Sequence, residues 1–101
     1  MAVKIEIQYF NGCPDSSEML CHVRDAIKKI HFDVDFQEIL VETPEAAINT
    51  KFRGSPTLLI NGDDFERMPA RENANLSCRI YQNGIPSVDD IVTKLQSYRY
   101  R

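Results

Sequence analysis

The segment Asn-Gly-Cys-Pro-Asp-Ser, residues 11–16, lies between a strand pattern and a helix pattern and says most about the fold of the chain. Before it, residues 3–10 alternate apolar and polar side chains for most of their length, which is typical of a β-strand. Gly12 interrupts this pattern, and Pro14 stands where the first residue of a helix is favoured. The segment therefore predicts a tight connection from strand to helix, with Cys13 at the N-terminus of that helix.

The remaining elements follow from periodicity, capping residues and turn signals. Apolar side chains at helical spacing after Ser16 predict an amphipathic helix of about four turns. Asn61-Gly62 is the strongest hairpin signal in the chain. In chain order we expect a strand at 3–10, the helix from 16, a strand at 34–41, a short helix capped by Thr43, strands at 57–60 and 64–67, an irregular segment at 68–86 and a last helix capped by Ser87.

This order, β-α-β-α-β-β-α, predicts a single α/β domain over residues 1–101. The strand-helix-strand start implies a right-handed crossover between parallel strands, and the later hairpin adds an antiparallel edge. We expect a four-stranded mixed sheet with helices on both faces, which makes three layers. The order is that of the thioredoxin fold, although other small α/β folds share it.

Charge and composition exclude several classes of partner. The net charge of −3 disfavours nucleic acid, because phosphate binding needs a basic face. The longest nearly uncharged run, residues 55–62, is far shorter than the roughly 20 apolar residues that span a bilayer. The N-terminus has no apolar region typical of a secretory signal. We therefore expect a cytoplasmic protein with no nucleic-acid or membrane partner.

The three cysteines are an odd number and do not form a disulfide framework. Cys13 is the candidate nucleophile, because the unpaired N–H groups and partial positive charge of a helix N-terminus favour thiolate over thiol. Ser16 is spaced to donate its hydroxyl to that sulfur, whereas the carboxylate of Asp15 opposes a second anion nearby. We expect moderate activation of Cys13.

A second segment, Gly54-Ser55-Pro56-Thr57, precedes the predicted strand at 57–60. With Cys13-Pro14 it forms the pair of motifs by which the chain resembles the thioredoxin superfamily along nearly its whole length. More narrowly, the chain resembles small bacterial and archaeal thioredoxin-like proteins of uncharacterised role. These have a strand followed by Gly-Cys-Pro, a central Gly-Ser-Pro-Thr and a late Ser-Cys-Arg-x-Tyr, which here is residues 77–81.

The resemblance implies a redox-active thiol at Cys13 and a cis bond before Pro56 that faces it. It also implies that the backbone of Ser55 is exposed for strand-like hydrogen bonding to an extended thiol substrate, with Pro14 and Ser16 completing the substrate site. The chain departs from thioredoxin itself in one respect that matters: Ser16 stands where the second cysteine of the C-x-x-C pair is usual. Disulfide reduction by that two-cysteine route is therefore in doubt.

Cys78 lies in the long segment before the last helix, where long insertions are often functional. It is either a resolving cysteine for Cys13, the second ligand of a soft metal, or a small apolar residue packed under the loop. Cys21, about 12 Å along the first helix from Cys13, receives no catalytic role. No histidine has metal-ligand spacing, so we expect neither a closed zinc site nor a cofactor.

Three functions fit these residues. The first is a thiol-disulfide oxidoreductase in which the Cys13 thiolate attacks a protein or glutathione disulfide, and Cys78 or an external thiol resolves the intermediate. The second is a module that binds Hg(II), Cu(I) or As(III) through Cys13 and Cys78. The third is a non-catalytic scaffold that holds a partner peptide. The acidic pair Asp63-Asp64 is interpreted as turn chemistry.

Overall fold

Four strands and three helices make up the part of the chain that the computed structural model describes, residues 2–72, 74–81 and 83–99. Within these residues no helix combines the length and the apolar character needed to cross a membrane. The elements in chain order are β1 (Val3–Tyr9), α1 (Asp15–Lys29), β2 (Val34–Leu40), α2 (Pro44–Thr50), β3 (Thr57–Ile60), β4 (Asp63–Asp64) and α3 (Val88–Arg99). The expected mixed α/β architecture is confirmed.

The four strands form one mixed sheet in the order β2-β1-β3-β4. β2 runs parallel to β1, as the crossover rule predicts, whereas β3 runs antiparallel to β1 and β4 antiparallel to β3. Antiparallel pairing therefore begins one strand earlier than the hairpin alone implies. β1 is an inner strand, so the loop that follows it, which carries Cys13, opens at the middle of the sheet.

β4 is shorter than the strand expected at 64–67. Its last residue, Asp64, accepts hydrogen bonds from the backbone N–H groups of Glu66 at 2.8 Å and Met68 at 3.2 Å. Phe65 N still donates to the carbonyl of Leu58 in β3 at 3.0 Å. The bonds to the Asp64 side chain then turn the chain away from the sheet, because an aspartate side chain substitutes for a backbone acceptor in such turns. The residues after Phe65 are therefore free to leave the sheet edge.

Two apolar clusters contact the sheet. The larger contains Ile5 and Ile7 of β1 with buried residues of α1 and α3, and the smaller contains Ala47 of α2 with Val41, Phe52 and Ala74. In β2, Val34 and Phe36 pack against the first cluster and Ile39 against the second. Because side chains alternate along a strand, the two clusters lie on opposite faces of the sheet.

The N-termini of the three helices are satisfied in different ways. Thr43 accepts from Ala46 N at 3.1 Å and so caps α2, as predicted. Ser87 accepts from Asp90 N at 3.0 Å, while the Asp90 carboxylate accepts from Ser87 N at 3.4 Å. α1 begins after Pro14, which makes no side-chain capping bond. In the first turn, the N–H of Ser16 donates to the carbonyl of Cys13 at 3.1 Å, so the helix begins directly against the loop of Cys13.

Candidate functional site

Cys13 and Cys78 are joined by a disulfide between residues 65 apart in sequence. Their Cα atoms are 5.9 Å apart, inside the limit of about 7 Å for a bridge. The long segment therefore brings Cys78 to Cys13, as a resolving cysteine or a second metal ligand would require. The alternative in which Cys78 is only packed under the loop is wrong, because Cys78 is exposed, whereas Cys13 is 5 % exposed.

Cys13 lies where the sequence placed it, at the N-terminus of α1. Gly12 has a φ of +114°, a backbone conformation that favours glycine and that turns the chain sharply out of β1. The carbonyl of Cys13 accepts from Ser16 N at 3.1 Å, which ties the cysteine to the first turn of the helix. The turn at Gly12 and the hydrogen bond from Ser16 together fix the backbone of Cys13.

The Ser55–Pro56 bond is cis, as predicted, and lies beside the disulfide because Ser55 pairs with Cys78 in an isolated bridge. The Ser55 hydroxyl accepts from Phe10 N at 3.1 Å and lies 2.9 Å from the hydroxyl of Ser16. Ser16 was expected to serve the sulfur of Cys13, and its hydroxyl contacts Ser55 instead. The Ser55 side chain thus connects the segment before β3 with the end of β1 and the start of α1.

The backbone of Ser55 is not open to a substrate. Its N–H donates to the carbonyl of Ser77 at 2.8 Å, and its carbonyl accepts from Arg79 N at 2.8 Å. Residues 77–79 therefore run as a short parallel strand along Ser55. The expected site for an extended substrate is filled by the chain itself, because the segment before α3 folds back over this end of the sheet.

A buried ion pair holds this segment in place. Arg79 donates from Nη1 and Nη2 to the two carboxylate oxygens of Asp64 at 2.6 and 2.7 Å, and these side chains are 1 % and 2 % exposed. Burial alone raises the pKa of Asp64. The bonds and charge of Arg79, together with the N–H groups of Glu66 and Met68, outweigh burial and hold that pKa below its ordinary value. Turn chemistry explains Asp64 only in part; the residue also anchors Arg79.

Tyr81 adds a second anchor on the other side of Cys78. Its hydroxyl donates to the carbonyl of Pro56 at 2.9 Å, and burial raises its pKa. The guanidinium of Arg79 lies 4.4 Å from the centroid of the Tyr81 ring, a cation–π contact. Arg79 and Tyr81 are buried whereas Cys78 and Ile80 are exposed, so the segment alternates like a strand. The sequence does not predict this arrangement, because it leaves the apolar Ile80 exposed and buries the charged Arg79.

Gly54 lets the segment approach this closely. Its φ is +104°, and a Cβ built on it would lie 2.8 Å from the Cβ of Arg79 and 3.2 Å from its backbone. Any larger residue would push residues 77–79 away from Ser55. The glycine of the Gly-Ser-Pro-Thr motif is therefore explained by the backbone of Arg79 rather than by a bound substrate.

The other candidate ligands stay apart from this site. Cys21 is a free, exposed cysteine on α1, and His22 contacts the carbonyl of Pro86 at 2.7 Å through Nδ1. Among the described residues no group of three or more His, Cys, Asp or Glu side chains could hold a metal ion. Pro14, expected at the substrate site, is exposed next to Cys13.

Comparisons with known proteins add no family to this picture: no protein-family model matches the chain, and no curated protein matches it. The chemistry open to the site follows from its own residues. Two sulfurs that meet at a helix N-terminus can exchange one S–S bond for two thiols, which is a two-electron change. In the reduced state the same sulfurs form a pair of soft ligands.

Proposed function

We propose that the chain is a thioredoxin-like thiol-disulfide oxidoreductase whose redox centre is the pair Cys13 and Cys78. The observation that carries the proposal is the meeting of these residues at the N-terminus of α1, beside the cis bond before Pro56. The element order and the inner position of β1 agree with the thioredoxin fold. Cys78 takes the place of the cysteine that Ser16 replaces in the C-x-x-C pattern.

In the proposed reaction the Cys13 thiolate attacks one sulfur of a substrate disulfide. The substrate S–S bond breaks, one substrate thiolate leaves, and a mixed disulfide forms on Cys13. The Cys78 thiolate then attacks the Cys13 sulfur, which releases the second substrate thiolate and forms the Cys13–Cys78 bond. The substrate gains two electrons and the protein loses two. Two equivalents of an external thiol return the protein to the dithiol.

Helix α1 and the anchor residue Arg79 favour this reaction in different ways. The partial positive charge at the N-terminus of α1, which no side chain caps, stabilises the Cys13 thiolate, although Asp15 and Glu18 in the first turn limit the effect. Arg79, the residue after Cys78, is anchored to Asp64. The attack of Cys78 on the mixed disulfide therefore needs little movement of the segment. A resolving thiol held close to its target acts at a high effective concentration.

Binding of a soft metal is the second candidate function, since two adjacent thiolates suit Hg(II) or Cu(I). Both ions accept two sulfur ligands, and the described residues offer no third donor group. The scaffold function has less support, because the backbone edge that would hold a peptide is already paired with residues 77–79.

The proposal is tested by catalysed thiol-disulfide exchange. Glutathione-driven reduction of hydroxyethyl disulfide and of insulin is measured for the wild type, Cys13→Ser, Cys78→Ser and the matched control Cys21→Ser. We expect the wild type and Cys21→Ser to accelerate at least one reaction equally, Cys13→Ser to be inactive, and Cys78→Ser to accumulate a glutathione adduct on Cys13. A wild type no faster than Cys13→Ser on both substrates would contradict the proposal.

A further inference from the structure

The backbone edge at Ser55 is closed by the protein's own chain. A peptide that binds by strand addition needs the N–H and C=O groups of the edge residue. Both groups of Ser55 are already bonded, to Ser77 O and Arg79 N, each at 2.8 Å. Residues 77–79 therefore hold, within the fold, the position that a cysteine-containing peptide would take beside Cys13.

Several contacts oppose the displacement of this segment. Freeing Ser55 would require moving Arg79, whose two bonds to Asp64 are buried, and the Tyr81 hydroxyl, which is bonded to Pro56. Removing one partner of a buried charge pair leaves the other charge without compensation. None of these anchors involves a sulfur atom, so opening the S–S bond breaks none of them.

Access to the disulfide is one-sided. Cys13 is 5 % exposed, whereas Cys78 is exposed and Ile80, two residues further on, is 88 % exposed. Cys78 is thus the more exposed residue of the pair, and we assign the attack of an external thiolate to its sulfur. The leaving group is then the Cys13 thiolate, which the N-terminus of α1 stabilises, and a better leaving thiolate speeds exchange.

On the basis of the function proposed above, we infer that the redox partners of this site are low-molecular-weight thiols and disulfides of the glutathione class, and not extended peptides. A small thiolate attacks the sulfur of Cys78, the Cys13–Cys78 bond breaks, and its electron pair leaves with Cys13. A second small thiolate attacks the sulfur of the first one in the mixed disulfide. This releases a small disulfide and the Cys78 thiolate, which takes a proton from water; two thiols are oxidised and the protein gains two electrons.

The test compares two reductants of the folded Cys21→Ser protein, which retains only the disulfide cysteines. One is glutathione, and the other is an unstructured nine-residue peptide with a single central cysteine. Each rate constant is divided by that of the same thiol with hydroxyethyl disulfide, which corrects for intrinsic thiol reactivity. We expect the normalised rate of glutathione to exceed that of the peptide by tenfold or more. Equal rates, or a faster peptide, would overturn the inference.

A variant that loosens the anchor gives a second readout. Tyr81→Phe removes the hydroxyl bonded to Pro56, and Tyr9→Phe removes a hydroxyl from β1 as a matched control. We expect Tyr81→Phe to raise the normalised peptide rate severalfold and leave the glutathione rate unchanged, while Tyr9→Phe changes neither. If neither glutathione nor the peptide reduces the wild type or any variant, the proposed function itself is refuted. If both thiols reduce the wild type equally well, only the restriction to small partners is refuted.

Discussion

The guanidinium of Arg79 donates two hydrogen bonds to the carboxylate of Asp64, at 2.6 and 2.7 Å, in a place where both side chains are almost completely buried. Because Arg79 directly follows Cys78, this pair fixes the backbone on which the second sulfur of the site is carried. The first sulfur is fixed by the start of α1. The position of the Cys13–Cys78 disulfide thus depends on an ion pair that contains neither sulfur.

We predict that Arg79→Leu destabilises the protein by about 3–5 kcal/mol, because the buried carboxylate of Asp64 keeps only Arg53, at 3.7 Å, as a charged partner. The control is Arg24→Leu, which removes a bond to Glu38 on the surface and should cost far less. Urea unfolding of both variants in the reduced state gives the two free energies. Equal losses would show that Arg79 does not anchor the segment.

The Arg79–Asp64 pair makes the free energy of unfolding depend on pH below about 4. The pKa of Asp64 lies below its ordinary value of 3.8 in the folded protein, so the unfolded chain binds the proton first. The stabilisation is therefore complete above about pH 4 and is lost as the pH falls through the folded-state pKa. Unfolding free energies of the wild type and Asp64→Asn should differ by a constant amount from pH 7 to about 4, and the difference should shrink below that. A difference that grew with acid would contradict this assignment.

Substitution of Gly54 should cost more than substitution of another glycine with a similar backbone. Gly54→Ala meets both a φ of +104° and the backbone of Arg79, whereas Gly84→Ala meets a φ of +78° with no atom within 4 Å. A positive φ alone costs an alanine about 1–2 kcal/mol. We expect that loss for Gly84→Ala and a clearly larger one for Gly54→Ala by thermal or urea unfolding. Equal losses would mean that residues 77–79 move aside freely.

The N-terminus of α1 should lower the pH at which Cys13 becomes reactive. In reduced Cys78→Ser, alkylation of Cys13 by iodoacetamide should reach half of its maximal rate at a lower pH than a cysteine in a short peptide, which titrates near 8.5. Mass spectrometry separates this reaction from that of Cys21. A midpoint equal to that of the peptide, or above it, would remove the role assigned to α1.

Much of the fold could be predicted because its signals are local. The alternation before Gly12, the cap at Thr43 and the turn at Asn61-Gly62 each lie within a few residues of the element that they define. The cis bond before Pro56 could be predicted from the resemblance of its motif to the thioredoxin superfamily. The length of β4 could not be predicted, because the residues after Asp64 turn away from the sheet through hydrogen bonds to the Asp64 side chain.

The arrangement of the site was less accessible from sequence. Cys78 was correctly singled out, but its approach to Cys13 depends on the fold of the whole segment between β4 and α3. The Ser16 hydroxyl contacts Ser55 across 39 residues of sequence, and no local pattern encodes such a contact. The burial of Arg79 could not be predicted either, because hydrophobicity alone would bury Ile80 and expose Arg79, whereas Ile80 is 88 % exposed and Arg79 pairs with Asp64.

The central claim is that Cys13 and Cys78 form one redox pair, and an equilibrium titration tests it most directly. The folded wild-type protein is equilibrated in buffers of reduced and oxidised glutathione, its free thiols are alkylated, and each cysteine is quantified by mass spectrometry. The pair should lose and regain its thiols together, in a single two-electron transition in which Cys21 takes no part. Separate transitions for Cys13 and Cys78, or thiols that stay free in every buffer, would contradict the account.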